Sequence, residues 1–209
     1  MKRIFALVFS ALLLLSLVAC DFDYQGKIVG TWVCRKQDAA ETKESLLDAI
    51  DLYDEEKALI TAPLYTAKVV CFNEDGSYYF TEDPAAVKEY VRDFYEQMFQ
   101  QLYNGRANLD NTYAEYGTDL SQLGEDEFYQ FYAELYTYAT FEELLDGLAE
   151  NVYDYDNFEP YERGTYTVGS KKIDFDATSD EDDGVAEYKV DGDTLTITYS
   201  DGSETYTKK

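Results

Sequence analysis

Histidine is absent from all 209 residues. Its absence removes histidine-dependent catalytic triads, histidine metal sites and the usual side chain that titrates near neutral pH. Basic residues are scarce, with 17 Lys and Arg against 43 Asp and Glu, for a net charge of -26. Phosphate backbones and anionic headgroups are held by Lys and Arg, so the field of the chain as a whole repels both, and nucleic acid is excluded as a partner. High net charge also keeps a protein soluble and unassociated, which is the simpler reading of this acidity. Neither a Gly-x-Ser-x-Gly elbow nor a Gly-rich phosphate loop occurs. Carboxylates are abundant, but no spacing singles out a pair suited to glycoside hydrolysis. No catalytic residue, metal ligand or cofactor is therefore assigned, and the chain reads as a non-enzyme.

Long apolar runs are missing except at the start. Lys2 and Arg3 precede Ile4 to Val18, where Ser10 and Ser16 are the only polar side chains. A basic segment followed by a short apolar one is the layout of a secretory signal, and the run falls short of the ~20 residues that a spanning helix needs. It ends in Leu17-Val18-Ala19-Cys20, followed by the polar Asp21-Phe22-Asp23. This segment resembles the lipobox of bacterial lipoproteins. The resemblance implies removal of residues 1–19, a diacylglyceryl group on the Cys20 thiol, and residence at the extracytoplasmic face of the cell membrane, held by that lipid. Residues 20–26 then form a tether. Only Cys34 and Cys71 remain; in an exported chain a disulfide between them and two buried thiols are both consistent with the sequence.

What the chain has in plenty is aromatic residues, 16% of the total with 21 tyrosines, far beyond a disordered stalk. Lys27 to Lys36 reads as a strand, and the spacing of Leu46, Leu47, Ile50 and Tyr53 predicts a helix near 42–57. Residues 66–72 and 77–81 form a hairpin across Asn73-Glu74-Asp75-Gly76. Asp83-Pro84 is a helix start, and Val87, Val91, Phe94, Met98 and Leu102 recur at helical spacing. A second helical stretch is expected over 126–139. A third follows Thr140, with Glu143 completing a capping box. From Gly164 the period becomes two, through Tyr166 and Val168, Ile173 and Phe175, Ala186, Tyr188 and Val190, then Leu195, Ile197 and Tyr199. Turns at Gly169-Ser170, Asp191-Gly192 and Asp201-Gly202 join these strands into an antiparallel meander.

Gly30-Thr31-Trp32 on the first strand, together with the closing run from Tyr188 to Ile197 and Asp201 to Tyr206, resembles the lipocalin-like domains of bacterial surface lipoproteins. That resemblance implies an α+β chain: an antiparallel up-and-down β-barrel with Trp32 packed structurally at its closed end. Residues 27–82 would supply the first part of the barrel, 83–159 a helical insertion that a simple lipocalin lacks, and 160–209 the closing meander. Two functions follow from it. In one, the barrel binds a small apolar or aromatic ligand through the inward residues Tyr166, Phe175, Tyr188 and Ile197. In the other, the chain is an envelope scaffold or interaction module whose helical insertion meets another protein. An empty barrel would favour the first, a filled one with an exposed apolar helical face the second. The acidic run Asp174, Asp176 and Asp180 to Asp183 lacks calcium-loop spacing and reads as a solvated loop. Tyr129, Tyr132, Tyr136 and Tyr138 read as the packing boundary of a helical bundle rather than a stacking platform.

Overall fold

A computed structural model describes residues 24–109, 117–155, 158–178 and 184–209. Residues 1–19, expected from the sequence to be a signal segment, together with Cys20 and the acidic positions 180–183, lie outside the described residues. The chain separates into two compact units. The first is built from residues through Cys34, Lys68–Glu82 and Glu159–Lys209, and the second from Arg35–Ala67 and Asp83–Phe158.

The first unit is a closed, eight-stranded antiparallel barrel in which every strand pairs with its neighbours in sequence. The strands are β1 (Gly30–Gln37), β2 (Tyr65–Phe72), β3 (Ser77–Glu82), β4 (Glu162–Val168), β5 (Lys172–Ala177), β6 (Gly184–Asp191), β7 (Thr194–Thr198) and β8 (Ser203–Lys208). The last residues of β1 and the first of β2 count with the second unit. Closure comes from β1 against β8, with Trp32 opposite Lys208. This is the α+β class, with an up-and-down barrel and a helical insertion, that the lipocalin-like resemblance implies.

Period-two alternation dictates what fills the barrel, because successive side chains point to opposite faces of a strand. Trp32, Cys34, Val70, Phe72, Tyr78, Phe80, Tyr166, Ile173, Phe175, Ala186, Leu195, Ile197 and Tyr206 form one buried cluster. The aromatic members meet edge to face, Phe72 on Tyr166 and Tyr78 on Phe175, each at 4.9 Å between ring centres. Such pairs add ~0.5–1.5 kcal/mol beyond the area that they bury. Residues 24–28 are helical rather than the start of β1. The reason is visible at Ile28, which is buried and whose carbonyl accepts the Trp32 indole N–H at 2.7 Å. A strand there would turn that acceptor toward a neighbour instead.

The second unit is helical. Its helices are α1 (Ala40–Ala49), α2 (Asp54–Lys57), α3 (Pro84–Gly105), α4 (Glu125–Leu135) and α5 (Phe141–Val152). The expected helix over 42–57 is in fact two. Asp51 takes a left-handed φ of 49°, which ends α1 and leaves Tyr53 as the exposed cap of α2 instead of part of a buried face. The Asp83 carboxylate accepts from Ala86 N, and the Thr140 hydroxyl from Glu143 N. The Glu143 carboxylate reaches Ala139 N. Residues 35–67 pack with the insertion rather than with the strands. Gln101 Oε1 accepts from the amides of Thr61 and Ala62, and Leu59 lies against Gly105, where any Cβ would collide with it. Glu56, fully buried, accepts from the Tyr132 hydroxyl and from Tyr53 N. On the outside, Arg92 binds Glu142 and Asp146, and Lys88 binds Glu150, so α3 and α5 run antiparallel.

Candidate functional site

The inward residues expected to contact a ligand do come together. Tyr166 stands directly opposite Phe175, and Tyr188 opposite Ile197, as cross-strand pairs. They meet as a packed core, however, not around a void. Ile197, Trp32, Ile173, Leu195 and Tyr206 are 0% exposed, and Tyr166 and Phe175 are 4% and 5% exposed. No water-sized space adjoins the five that are wholly enclosed. Tyr166 donates its hydroxyl to Asn73 O at 2.8 Å, and Tyr188, only partly buried, donates to Gly169 O. The polar ends of both tyrosines are thus satisfied by hairpin turns at the base of the barrel.

The cysteines fall on opposite faces of the wall. Cys34 shares the inward parity of Trp32, whereas Cys71 lies between the inward Val70 and Phe72 and so faces out. Both are buried thiols without a bond between them. Cys71 Sγ accepts from Thr31 Oγ1 and donates to Asn73 Oδ1. The helical tyrosines are committed to packing: Tyr129 stacks on Phe141 at 4.4 Å, Tyr132 binds Glu56, Tyr136 donates to Ile50 O, and Tyr138 covers Gly147. Burial and the neighbouring Glu125 push the Tyr129 hydroxyl up to about 12. Asp174 and Asp176 sit on the exposed face of β5. No cluster of three or more metal-binding side chains occurs among the described residues.

A polar cluster that the sequence reading missed occupies one rim of the barrel. Lys68, Glu162, Glu204 and Tyr199 carry inward parity at their strand ends, in step with Val70, Tyr166, Tyr206 and Ile197. The Lys68 ammonium binds Glu204 Oε2 at 2.8 Å and lies 4.7 Å from the centre of the Phe80 ring and 5.7 Å from that of Tyr199. Tyr206 donates to the same Glu204 oxygen, and Tyr78 to Glu162 Oε1 at 2.7 Å. Burial pushes the Tyr199 and Tyr206 hydroxyls well above the usual tyrosine range. Tyr206 lies near enough to Tyr199 to favour its ionised form slightly, yet the Tyr199 hydroxyl is buried without a hydrogen bond of acceptable geometry. Above the cluster lies an open hollow of about 320 Å³ whose walls include Phe80, Phe175, Val185 and Tyr199. The signal for these residues was present in the sequence: a charge on the inward parity of a strand end marks a rim.

Chemically, the rim can hold charge and can accept or donate hydrogen bonds, with two tyrosine hydroxyls, Tyr78 and Tyr206, each bound to a carboxylate. Comparison of the chain with family models, curated proteins and solved structures returns no match.

Proposed function

We propose that this chain is a lipid-anchored extracytoplasmic lipoprotein whose barrel is a non-catalytic scaffold, acting by recognition at its surface rather than by carrying an apolar ligand inside. The observation that carries this reading is the filled interior, where Trp32, Ile173, Leu195, Ile197 and Tyr206 are wholly enclosed by other side chains. Ligand cavities of comparable folds need several hundred Å³ of apolar space, and displacing a packed aromatic core to make it is costly. Large exposed apolar side chains among the described residues are few, namely Tyr53, Tyr161 and Val185. This supports polar, tyrosine-rich recognition over a broad hydrophobic interface on the helices. The aromatic-walled hollow beside Lys68 favours, as a second reading, a small ligand held at the rim.

The test is titration of the folded protein with a fluorescent fatty acid while Trp32 emission is followed. No saturable uptake at one probe per chain is expected. Saturable binding with a shift in Trp32 emission would mean that the barrel opens and carries ligand. Uptake abolished by Lys68→Met without any change at Trp32 would select the rim reading. Lipid attachment is tested separately, by metabolic labelling of the natural chain and of Cys20→Ser.

A further inference from the structure

At the end of the barrel that holds the β4–β5 turn and the helical turn before β1, an open groove of about 400 Å³ is lined by Tyr24, Lys27, Lys171, Glu187, Tyr188 and Lys189. All three lysines are exposed, in a chain that has very few cations. Their placement is set by backbone. Lys171 ends the β4–β5 turn, where Gly169 N donates to Lys172 O and Tyr188 N donates to Lys171 O. Lys189 projects from β6 on the face opposite to the buried Ala186. Lys27 belongs to the helical turn that Ile28 pins into the core, and its ammonium lies 5.4 Å from the centre of the Tyr24 ring.

We propose that this groove binds the phosphate-bearing headgroups of anionic lipids and thereby fixes which end of the barrel faces the membrane. The proposal rests on the lipid-anchored reading of Cys20. Three residues lie between Cys20 and Tyr24, so even fully extended the four steps hold Tyr24, on the wall of the groove, within ~14 Å of the lipid-bearing cysteine. Fields between exposed charges decay over ~8 Å at physiological salt, so the membrane senses the charges of this end and little of the rest. Among the described residues three lysines and one carboxylate, Glu187, line the groove; Glu187 lies opposite Lys172 in the β5–β6 register, and Asp21 and Asp23 adjoin the groove in sequence. The same rim also bears Glu74 and Asp75 in one turn and Asp191 and Asp193 in another; Lys189 and Asp191, both highly exposed, approach only to 3.7 Å. These acids repel headgroups and confine attraction to the groove side, while the acidic bulk of the chain is pushed away from the bilayer. The lipid supplies attachment, and the lysines supply orientation.

Lysine acetylation footprinting tests this on the whole chain from Cys20 onward. Cys20 is coupled to a maleimide lipid, Cys34 and Cys71 being buried, in vesicles of phosphatidylglycerol or of phosphatidylcholine. Acetylation of Lys27, Lys171 and Lys189 should slow by about fivefold on the anionic vesicles, the effect of a lysine held at an anionic surface, and Lys88 should be unaffected. The double variant Lys27→Gln/Lys171→Gln should lose the protection at Lys189. Equal rates on the two lipids, or protection spread over Lys88 as well, would overturn the proposal. So would equal protection by inorganic phosphate without vesicles, which would make the groove a site for free anions. Mass spectrometry of the natural protein keeps the two readings apart. Absence of a diacylglyceryl group would sink the lipoprotein reading, while the coupled chain still reports on the groove.

Discussion

Trp32 concentrates several causes in one side chain. Its inward parity buries it completely, its indole N–H ties β1 to the carbonyl of Ile28, and the Lys208 ammonium lies 5.2 Å from its ring centre across the seam that closes the barrel. Trp32→Ala should therefore destabilise the protein by about 3–5 kcal/mol, measured by denaturant unfolding with a tyrosine signal. A loss under ~0.5 kcal/mol, the range of surface substitutions, would refute the packing account. Buried tyrosines set a second residue-scale expectation. Tyr95 and Tyr206 are 1% and 0% exposed, and burial is the first cause that raises both hydroxyls. Unfolded tyrosine ionises near pH ~10. Above that pH the unfolded chain has released these protons and the folded chain has not, so stability present below pH ~10 is lost as pH rises, by up to ~1.4 kcal/mol per pH unit for each such group. Thermal melts should fall steeply above pH ~10, with tyrosinate absorbance appearing at the unfolding transition. Ionisation of all 21 tyrosines while the protein stays folded would contradict the burial argument.

At the scale of elements, helix stops explain where the sequence reading overran. Period counting carried the second helix of the insertion to 139, but α4 ends at Leu135 because Thr137 takes a φ of 67°. Tyr138 N donates to Ala133 O and Thr137 N to Glu134 O, the Schellman pattern, with an exposed threonine at the position that usually holds glycine. A left-handed conformation costs a residue with a Cβ ~1–2 kcal/mol, so Thr137→Gly should stabilise the helical unit by about 1 kcal/mol. A lowered melting temperature would mean that the threonine side chain contributes something not accounted for. The same physics hid the break at Asp51, since left-handed residues other than glycine leave little local mark in a sequence. Helix starts were legible because Asp83 and Thr140 act through local chemistry. The β-meander was legible because Tyr166, Ile173, Tyr188 and Ile197 obey one period with one buried face. The Lys68–Glu204 rim escaped because its partners lie 136 residues apart, and parity tells which face a charge occupies but not what it meets there.

Across the whole molecule, the unexpected feature is the membership of residues 35–67. They lie between two barrel strands in sequence, yet their buried Leu46, Leu47, Ile50, Ile60 and Leu64 belong to the helical unit. Glu56 joins them to Tyr132, Ile50 O accepts from Tyr136, and Gln101 holds the backbone at Thr61. A period change marks where helices begin and end, but not which of two cores a segment between strands will join. This allocation separates two deletions. Removing Asp83–Phe158 alone, with Glu82 joined to Glu159 by a short Gly-Ser turn, strips the partners from those apolar side chains and leaves Glu56 without the Tyr132 hydroxyl. Exposed faces of this kind promote association, and that chain should aggregate or melt without cooperativity. Removing Arg35–Ala67 as well, with a second short turn from Cys34 to Lys68, deletes the whole helical unit and leaves the barrel core intact. The doubly deleted chain should give a strand-dominated circular dichroism spectrum and one cooperative melt. If the single deletion folds as well as the double, residues 35–67 are not held by the insertion; if neither folds, helices and strands form one cooperative structure.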